Sequence, residues 1–298
     1  MDSGLSRFLS ATIRASENRK SLGHSPAASE RVGTFSVGSR GTVYGACEEL
    51  LFLQDRVRVD FMPPSATIVA HSSNNNCMVV VMAKAPKPGA VKTRLAQILP
   101  PPAVVDLYRC FLDDTIALAR SLNGVGMAIV CPATDADDLA LVAGGGIGVV
   151  AQTGEGLAAG LMSVFARFTT ADRRRVIAFN SDSPHLPRTV LQNAFDALAS
   201  CDLVVGPTDD GGYYLVGATS SYPGLFASSG MGTASALEEL LTRARAMGLS
   251  VGFTDMIYDI DVPADLSRLA AELENAADRA PRTAAWLKSW KVATGVPI

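Results

Sequence analysis

MVVVMAKAPKPGAVKTRL, Met78 to Leu95, is the stretch whose reading decides the fold. Met78 to Met82 are five apolar residues in a row, a run that suits a strand buried on both faces. The loop that follows holds two prolines and a glycine and carries Lys84, Lys87, Lys92 and Arg94. Four cations gathered behind a buried strand repel one another unless an anion sits among them. A strand, a glycine-containing turn and a helix start form the geometry that grips phosphate, because free backbone N–H groups and the helix dipole both favour negative charge. The segment therefore reads either as a phosphate-gripping loop for a nucleotide or as a solvated basic loop.

Beyond this stretch, strand-like and helix-like segments alternate. Strands are expected at Gly126–Cys131, 147–151, Arg175–Asn180, 202–206, 213–217 and 250–254. Helices are expected over 103–122, 135–142, 157–168, 189–199, 233–247, 264–273 and 281–293. Continuously apolar strands alternating with amphipathic helices predict a mainly parallel sheet covered on both faces. Trp286 and Trp290, four apart on the last helix, fit core packing better than a ligand platform. The first 76 residues differ in character: residues 1–43 are rich in Ser, Arg and Gly, and Ser72–Asn76 is a polar spacer. Only Cys47–Val59 has enough apolar residues for a short helix. Such a segment is expected to be mostly disordered, with a single folded domain running from residue 77 to 298. SRFLSATIRAS near the start is Arg- and Ser-rich, loosely like an organelle transit peptide; an extended or misassigned translation start is the preferred expectation, since Met78 opens the first credible strand.

The chain has 298 residues, 48% of them apolar, and a formal net charge of −3. That balance argues against a general nucleic-acid binder, whose footprint would be basic, and no apolar run is long enough to span a bilayer. Five scattered cysteines with no CxxC pair point to reduced thiols and a cytoplasmic setting. Oligomeric state is not legible.

Ligands of open parallel sheets sit beyond the carboxyl ends of the strands, and acidic residues collect at those ends. Asp182, in IAFNSDSPHLP, lies two residues past a strand. It suits a hard cation shared with phosphate, or a helix N-cap. In VVGPTDDGGYYLVG, Asp209, Asp210, Gly211 and Gly212 allow a tight turn and close backbone approach to a substrate; a hairpin would use them similarly. Asp259 and Asp261 stand two apart, so an extended segment turns both to one side. Two like charges there call for a cation or a donor, and Asp261 can complete a metal site with Asp182. Gln152 and Gly154, in QTGEGL, suit a base or sugar edge, or simply a loop entering a helix.

The ordered set AKAPKPGAVKTRL, QTGEGL, NSDSPHL, GPTDDGGYYLVG and DIDVPADL resembles the DUF2064 proteins, also described as radical-SAM/selenodomain-associated transferases, of the glycosyltransferase-A (nucleotide-diphospho-sugar transferase) superfamily. The resemblance covers Met78 to about Leu273. It implies a Rossmann-like GT-A fold, a nucleotide donor, and a divalent metal, Mg²⁺ or Mn²⁺, on Asp182 and Asp261. It implies a nucleotide- and phosphate-binding set of Ala83, Lys84, Pro88, Gly89, Lys92, Thr93, Arg94, Gln152 and Gly154, with Lys92, Thr93 and Arg94 on the donor phosphates. Gly211, Gly212 and Tyr213 fall on the acceptor side, and Asp210, Lys92 and Arg94 carry the chemistry. The chain departs from the family pattern at Asn180, where Gly is usual, at Ser183, where Cys is usual, and at GMGTAS (Gly230–Ser235), which replaces a Trp-Ser-Thr segment.

Two transfer chemistries fit. In glycosyl transfer from a nucleotide-sugar, an acceptor hydroxyl attacks the sugar with a carboxylate base, for which Asp210 is the candidate. In nucleotidyl transfer from a nucleoside triphosphate, a phosphorylated small acceptor attacks the α-phosphate and pyrophosphate leaves; Lys84, Lys92 and Arg94 suit that larger charge. Glycosyl transfer to a small acceptor is the preferred expectation. A non-catalytic nucleotide-binding module would have no use for the three acids Asp182, Asp210 and Asp261.

Overall fold

The structure is a computed structural model that describes residues 36–37, 43–44, 59–60, 76–170, 175–226 and 234–295. Strands are β1 (Ser36–Val37), β2 (Val43–Tyr44), β3 (Val59–Asp60), β4 (Cys77–Met82), β5 (Gly126–Cys131), β6 (Gly148–Ala151), β7 (Arg175–Asn180), β8 (Leu203–Pro207), β9 (Tyr213–Ala218) and β10 (Val251–Phe253). Helices are α1 (Pro101–Arg120), α2 (Ala136–Ala143), α3 (Gly156–Phe168), α4 (Arg188–Ala197), α5 (Ala236–Ala246), α6 (Pro263–Leu273) and α7 (Pro281–Thr294). By compactness the chain falls into two units, Met1–Leu50 and Leu51–Ile298. In the first, β1 and β2 pair antiparallel. The short helix expected over Cys47–Val59 and the disorder expected before residue 77 lie outside the described residues, apart from those two strands and β3.

In the second unit the strands form one sheet in the order β3-β10-β8-β9-β7-β4-β5-β6. Every pairing is parallel except those of β9, which runs antiparallel to both β7 and β8. The two-residue β3 at the edge has no sequence signal of its own; its partner β10 orders it by register. The α/β fold with a mainly parallel sheet is thus as expected.

Strand residues alternate between two cores, as a period of two demands. Val79, Val81, Ile177 and Phe179 pack with α1, α2 and α4 residues such as Leu112, Leu139 and Leu191. Val80, Val176 and Ala178 pack on the other face with Leu161, Val164 and Phe165 of α3 and Leu240 of α5. A third cluster flanks the sheet, where Leu107 and Phe111 of α1 meet Leu266, Leu269 and Leu287 of α6 and α7. Trp286 and Trp290 stack on each other at 5.3 Å and lean on this cluster, which is the packing role their spacing predicts. Asp114, buried in mid-α1, accepts from the N–H groups of Arg282 and Thr283 and the Thr283 hydroxyl, at 3.0, 2.8 and 2.7 Å. One carboxylate thereby fastens the first turn of α7 to α1 and satisfies donors that the helix start leaves open.

Candidate active site

Parallel strands β4, β5, β6 and β7 all deliver their chains to the same edge of the sheet. A cleft of about 720 Å³ opens there. Its walls include Ala83, Lys84, Lys92, Thr93, Arg94, Gln152, Asp182, Asp210, Gly212, Tyr213 and Asp261, so eleven of the residues expected at the site lie on one cavity. Pro88, Gly89, Gly154 and Gly211 do not line it. Pro88 and Gly89 form the outer turn of the loop, closed by Ala90 N–H donating to the Lys87 carbonyl at 3.1 Å. Nor does an α-helix follow that turn: Thr93–Gln97 is a five-residue 3-10 turn, and α1 begins only at Pro101.

The basic loop is divided. Lys87 bonds Asp135 at 3.0 Å and Asp138 at 2.8 Å. Asp135 also accepts from the N–H of Ala85 at 2.9 Å, and the loop is anchored through this carboxylate to the start of α2. Lys84 and Arg94 are exposed on the cleft wall. Lys92 turns inward. Its side chain is only 4% exposed, and its ammonium lies 2.6 Å from Asp182 Oδ1 and 2.9 Å from Asp261 Oδ1. Burial alone would lower its pKa; the attraction of Asp182 and Asp261 outweighs burial and holds it above the usual lysine range. Backbone φ and ψ at Lys92 are 46° and 40°, in the left-handed region that few non-glycine residues adopt.

Both acids sit on braced backbone. The Asp182 carbonyl accepts from the Ile260 N–H at 3.0 Å, and its own N–H donates to Asn180 Oδ1 at 3.2 Å. The N–H of Asp261 donates to Asp265 Oδ2 at 2.9 Å; Asp265 is thus the cap of α6. Asp259, between them, accepts on one oxygen from Asn180 Nδ2 at 2.9 Å and the Ser183 hydroxyl at 2.6 Å. Burial first, and then the Asp182 charge, raises the Asp259 pKa to about 6. Asn180 and Ser183, two positions where the chain departs from the family pattern, therefore act together on this one carboxylate.

Two carboxylate oxygens converging on one cationic atom fit the donor set of a hard divalent ion that completes its shell with phosphate and water. Among the described residues no group of three or more His, Cys, Asp or Glu side chains forms a metal cluster. The ion implied by the resemblance would thus be held by Asp182 and Asp261 with oxygens from the donor.

In the turn between β8 and β9, also on the cleft, Asp210 Oδ1 accepts from the Thr208 hydroxyl at 2.6 Å and the Gly212 N–H at 3.0 Å. The Thr208 bond, opposed by partial burial, lowers its pKa, so Asp210 is ionised at neutral pH. Gly211 has φ +89°, and a Cβ there would collide with the Ala234 carbonyl, so the turn requires glycine. The Gln152 amide is engaged within its own loop, donating to the carbonyls of Gly154 and Gly156 at 3.0 and 3.1 Å. Tyr108 was not anticipated. It reads as an apolar position of α1, yet its hydroxyl lies 2.9 Å from Ser181 Oγ and donates to the Lys84 carbonyl at 3.3 Å, on the floor of the cleft. Only the strand-end position of its two partners hints at this.

Residues 115–233 match the DUF2064 family model. Its description is "uncharacterized protein conserved in bacteria". The DUF2064 match takes in QTGEGL, NSDSPHL and the DDGG turn, and the family resemblance drawn from the motifs holds. The basic loop and the Asp259–Asp261 segment lie outside the matched residues. A crystal structure from Desulfovibrio desulfuricans G20, provisionally described as a nucleotide-diphospho-sugar transferase, is 28% identical with a TM-score of 0.67. The alignment covers 73% of this chain and 96% of that one. Rv0371c from Mycobacterium tuberculosis H37Rv aligns at 20% identity and TM-score 0.44, over 65% and 97% of the two chains. The inositol-1-phosphate CTP transferase from T. maritima aligns at 16% and 0.44, over 67% and 95%. These two likenesses are too loose to bear on chemistry. No match was found among curated proteins. Fold, cleft and the Desulfovibrio neighbour place the chain among the transferases. Among the described residues no helix is long and apolar enough to cross a membrane.

Proposed function

We propose that the protein is a nucleotide-sugar-dependent, metal-assisted glycosyltransferase acting on a small acceptor. The observation that carries this reading is the asymmetry of the cleft. The donor wall presents Lys84, Lys92 and Arg94 beside the acid pair Asp182 and Asp261. The lining that comes from the β8–β9 connection and the start of α5, with Thr208, Asp210, Gly212, Tyr213, Tyr214 and Ala236, presents a carboxylate and hydroxyls and, among these lining residues, no cation. An anionic acceptor such as a phosphorylated small molecule would meet the Asp210 carboxylate there. A neutral acceptor hydroxyl would meet a base.

In this reading Arg94 and Lys84 bind the donor diphosphate and orient it along the basic wall. Tyr108, tied to Ser181 and the Lys84 carbonyl, fixes the floor on which it rests. Asp182 and Asp261 would hold the divalent ion, whose chemistry when bound is to neutralise charge on the leaving diphosphate. Asp210, kept ionised by Thr208 and Gly212, accepts the proton of the acceptor hydroxyl as it attacks the sugar carbon.

The test is a panel of nucleotide-sugars and nucleoside triphosphates with Mn²⁺ and candidate acceptors, with the released anion identified. Acceptor-dependent release of nucleoside diphosphate supports the proposal. Pyrophosphate release would replace it with nucleotidyl transfer. Asp182→Ala is expected to abolish turnover while nucleotide still binds; absence of turnover from the wild type with every donor would leave only a binding module.

A further inference from the structure

Lys92 stands where the proposed chemistry needs two different cations. As a residue of the basic loop it belongs on the donor phosphates, yet its ammonium is lodged between Asp182 and Asp261, the two oxygens that would hold a divalent ion. The backbone that carries each acid is fixed. Asp182 is tied through its carbonyl and its N–H, and Asp261 through its N–H, to neighbouring backbone and side chains. The lysine sits at the end of a flexible four-carbon stem, and both of its side-chain ion pairs go to these same acids. It is also the one non-glycine residue of its loop with a left-handed backbone, so the loop is bent to bring this side chain inward.

Charge favours an exchange. An ammonium between two carboxylates leaves one negative charge unbalanced. A divalent ion in the same place neutralises the pair. An ammonium expelled from it lies next to the cleft that Lys92 already lines, with Thr93 and Arg94 as neighbours. It can stay there at low cost only if a polyphosphate is present to receive it.

Resting on the transferase reading, we propose that Lys92 is the resident occupant of the divalent-ion position, and that it yields the position to the metal by moving its ammonium onto the donor phosphates. The metal site is then incomplete until the donor arrives. Metal and polyphosphate bind cooperatively, each strengthening the other by the same factor. The residue has two posts and serves both ligands, in opposite senses: it opposes the metal alone and supports the phosphate.

The opposed signs provide the test. In the full chain, Mn²⁺ binding is followed by electron paramagnetic resonance, and inorganic pyrophosphate binding by calorimetry, for the wild type and Lys92→Met. The expected result is Mn²⁺ binding tighter by about tenfold or more in the variant, as removal of a close competing charge allows, together with weaker binding of pyrophosphate. A lysine that merely supported the fold would weaken both. Mn²⁺ affinity in the variant equal to or below that of the wild type overturns the proposal.

Should Lys92→Met fail to fold, the wild type gives the answer by itself. Labelling of Lys92 with an amine-reactive reagent, read by mass spectrometry, should be slow without metal and faster with saturating Mn²⁺. Labelling that saturating Mn²⁺ leaves unchanged overturns the exchange. None of these measurements needs turnover, so a failed exchange is distinguishable from a failed transferase assignment.

Discussion

His185 has neither ring nitrogen hydrogen-bonded although the residue is only 2% exposed. It lies against the Tyr258 ring at 4.4 Å, and the other partner of that ring is Arg268, 3.6 Å from its centre. Burial, opposed by Glu272 and reinforced by Arg279 and Arg268, pulls the imidazole pKa down to about 4. The unfolded chain takes up this proton near pH 6.5 and the folded chain does not, so the stability due to neutral His185 is complete above 6.5 and falls as pH drops toward 4. The expected loss from this group between pH 7 and pH 5 is about 2 kcal/mol. His185→Leu should remove it, seen as urea midpoints that shift less between those two pH values than the wild type's. At this scale the sequence is informative where chemistry is tied to strand ends: Asp182 was legible because it follows an apolar strand, whereas Asp261 was paired with it from its spacing to Asp259 and the family resemblance. It is silent where a side chain chooses its direction. Nothing in KPGAVKTRL distinguishes Lys87, which turns to Asp135 and Asp138, from Lys92, which turns to Asp182 and Asp261. Asp259 shows the same gap, since its two donors come from a segment some 80 residues earlier in the chain.

Elements were legible where periodicity is long or apolar runs are unbroken, as in β4, β7 and α1. The antiparallel insertion of β9 between β7 and β8 is a tertiary choice that its own residues do not encode, and the 3-10 turn at Thr93–Gln97 replaces a helix start because the chain must double back at Lys92 before α1 begins. The attachment of α7 is likewise invisible locally. It depends on Asp114, which in sequence is one of two adjacent acids in a helix, and which the fold buries to receive three hydrogen bonds from the start of α7. Burial raises the pKa of this carboxyl, and the Thr283 and Arg282 donors oppose that rise. Asp114→Ala leaves two backbone donors and a hydroxyl without their acceptor in a buried setting, at an expected cost of about 2–3 kcal/mol. Asp114→Asn, which keeps an acceptor oxygen, should recover part of it. Urea unfolding of both variants, with hydrogen exchange over residues 281–294 as a local probe, checks the assignment; equal stability of wild type and Asp114→Ala would mean that α7 is held by the apolar cluster alone.

For the 76–295 body as a whole, the cleft is the place where distant parts of the chain depend on one another. Its walls run from Met82 to Asp261 and draw on residues that follow β4, β5, β6, β7, β8 and β10, while the three apolar clusters lie on the two faces and one flank of the sheet and leave the rim open. A ligand seated there adds contacts among segments far apart in sequence, so binding should stabilise the body as a unit. For one site the gain is about 2.7 kcal/mol at a hundredfold excess over Kd, which for a domain of this size is about 5–10 °C in Tm. A thermal-shift series with nucleoside diphosphates and Mn²⁺ should show such a rise for the matching base. Arg94→Ala, exposed and outside all three apolar clusters, should keep the unliganded Tm and need higher nucleotide concentration for the same rise. Asp182→Ala should lose the part of the rise that depends on Mn²⁺. Duplex DNA at equal phosphate concentration should give none, since the chain carries a net charge of −3 and the three cations that line the cleft, Lys84, Lys92 and Arg94, all come from one loop. A shift with DNA equal to that with nucleotide, and no dependence on Arg94, would mean that the basic wall is a general electrostatic surface rather than a donor site.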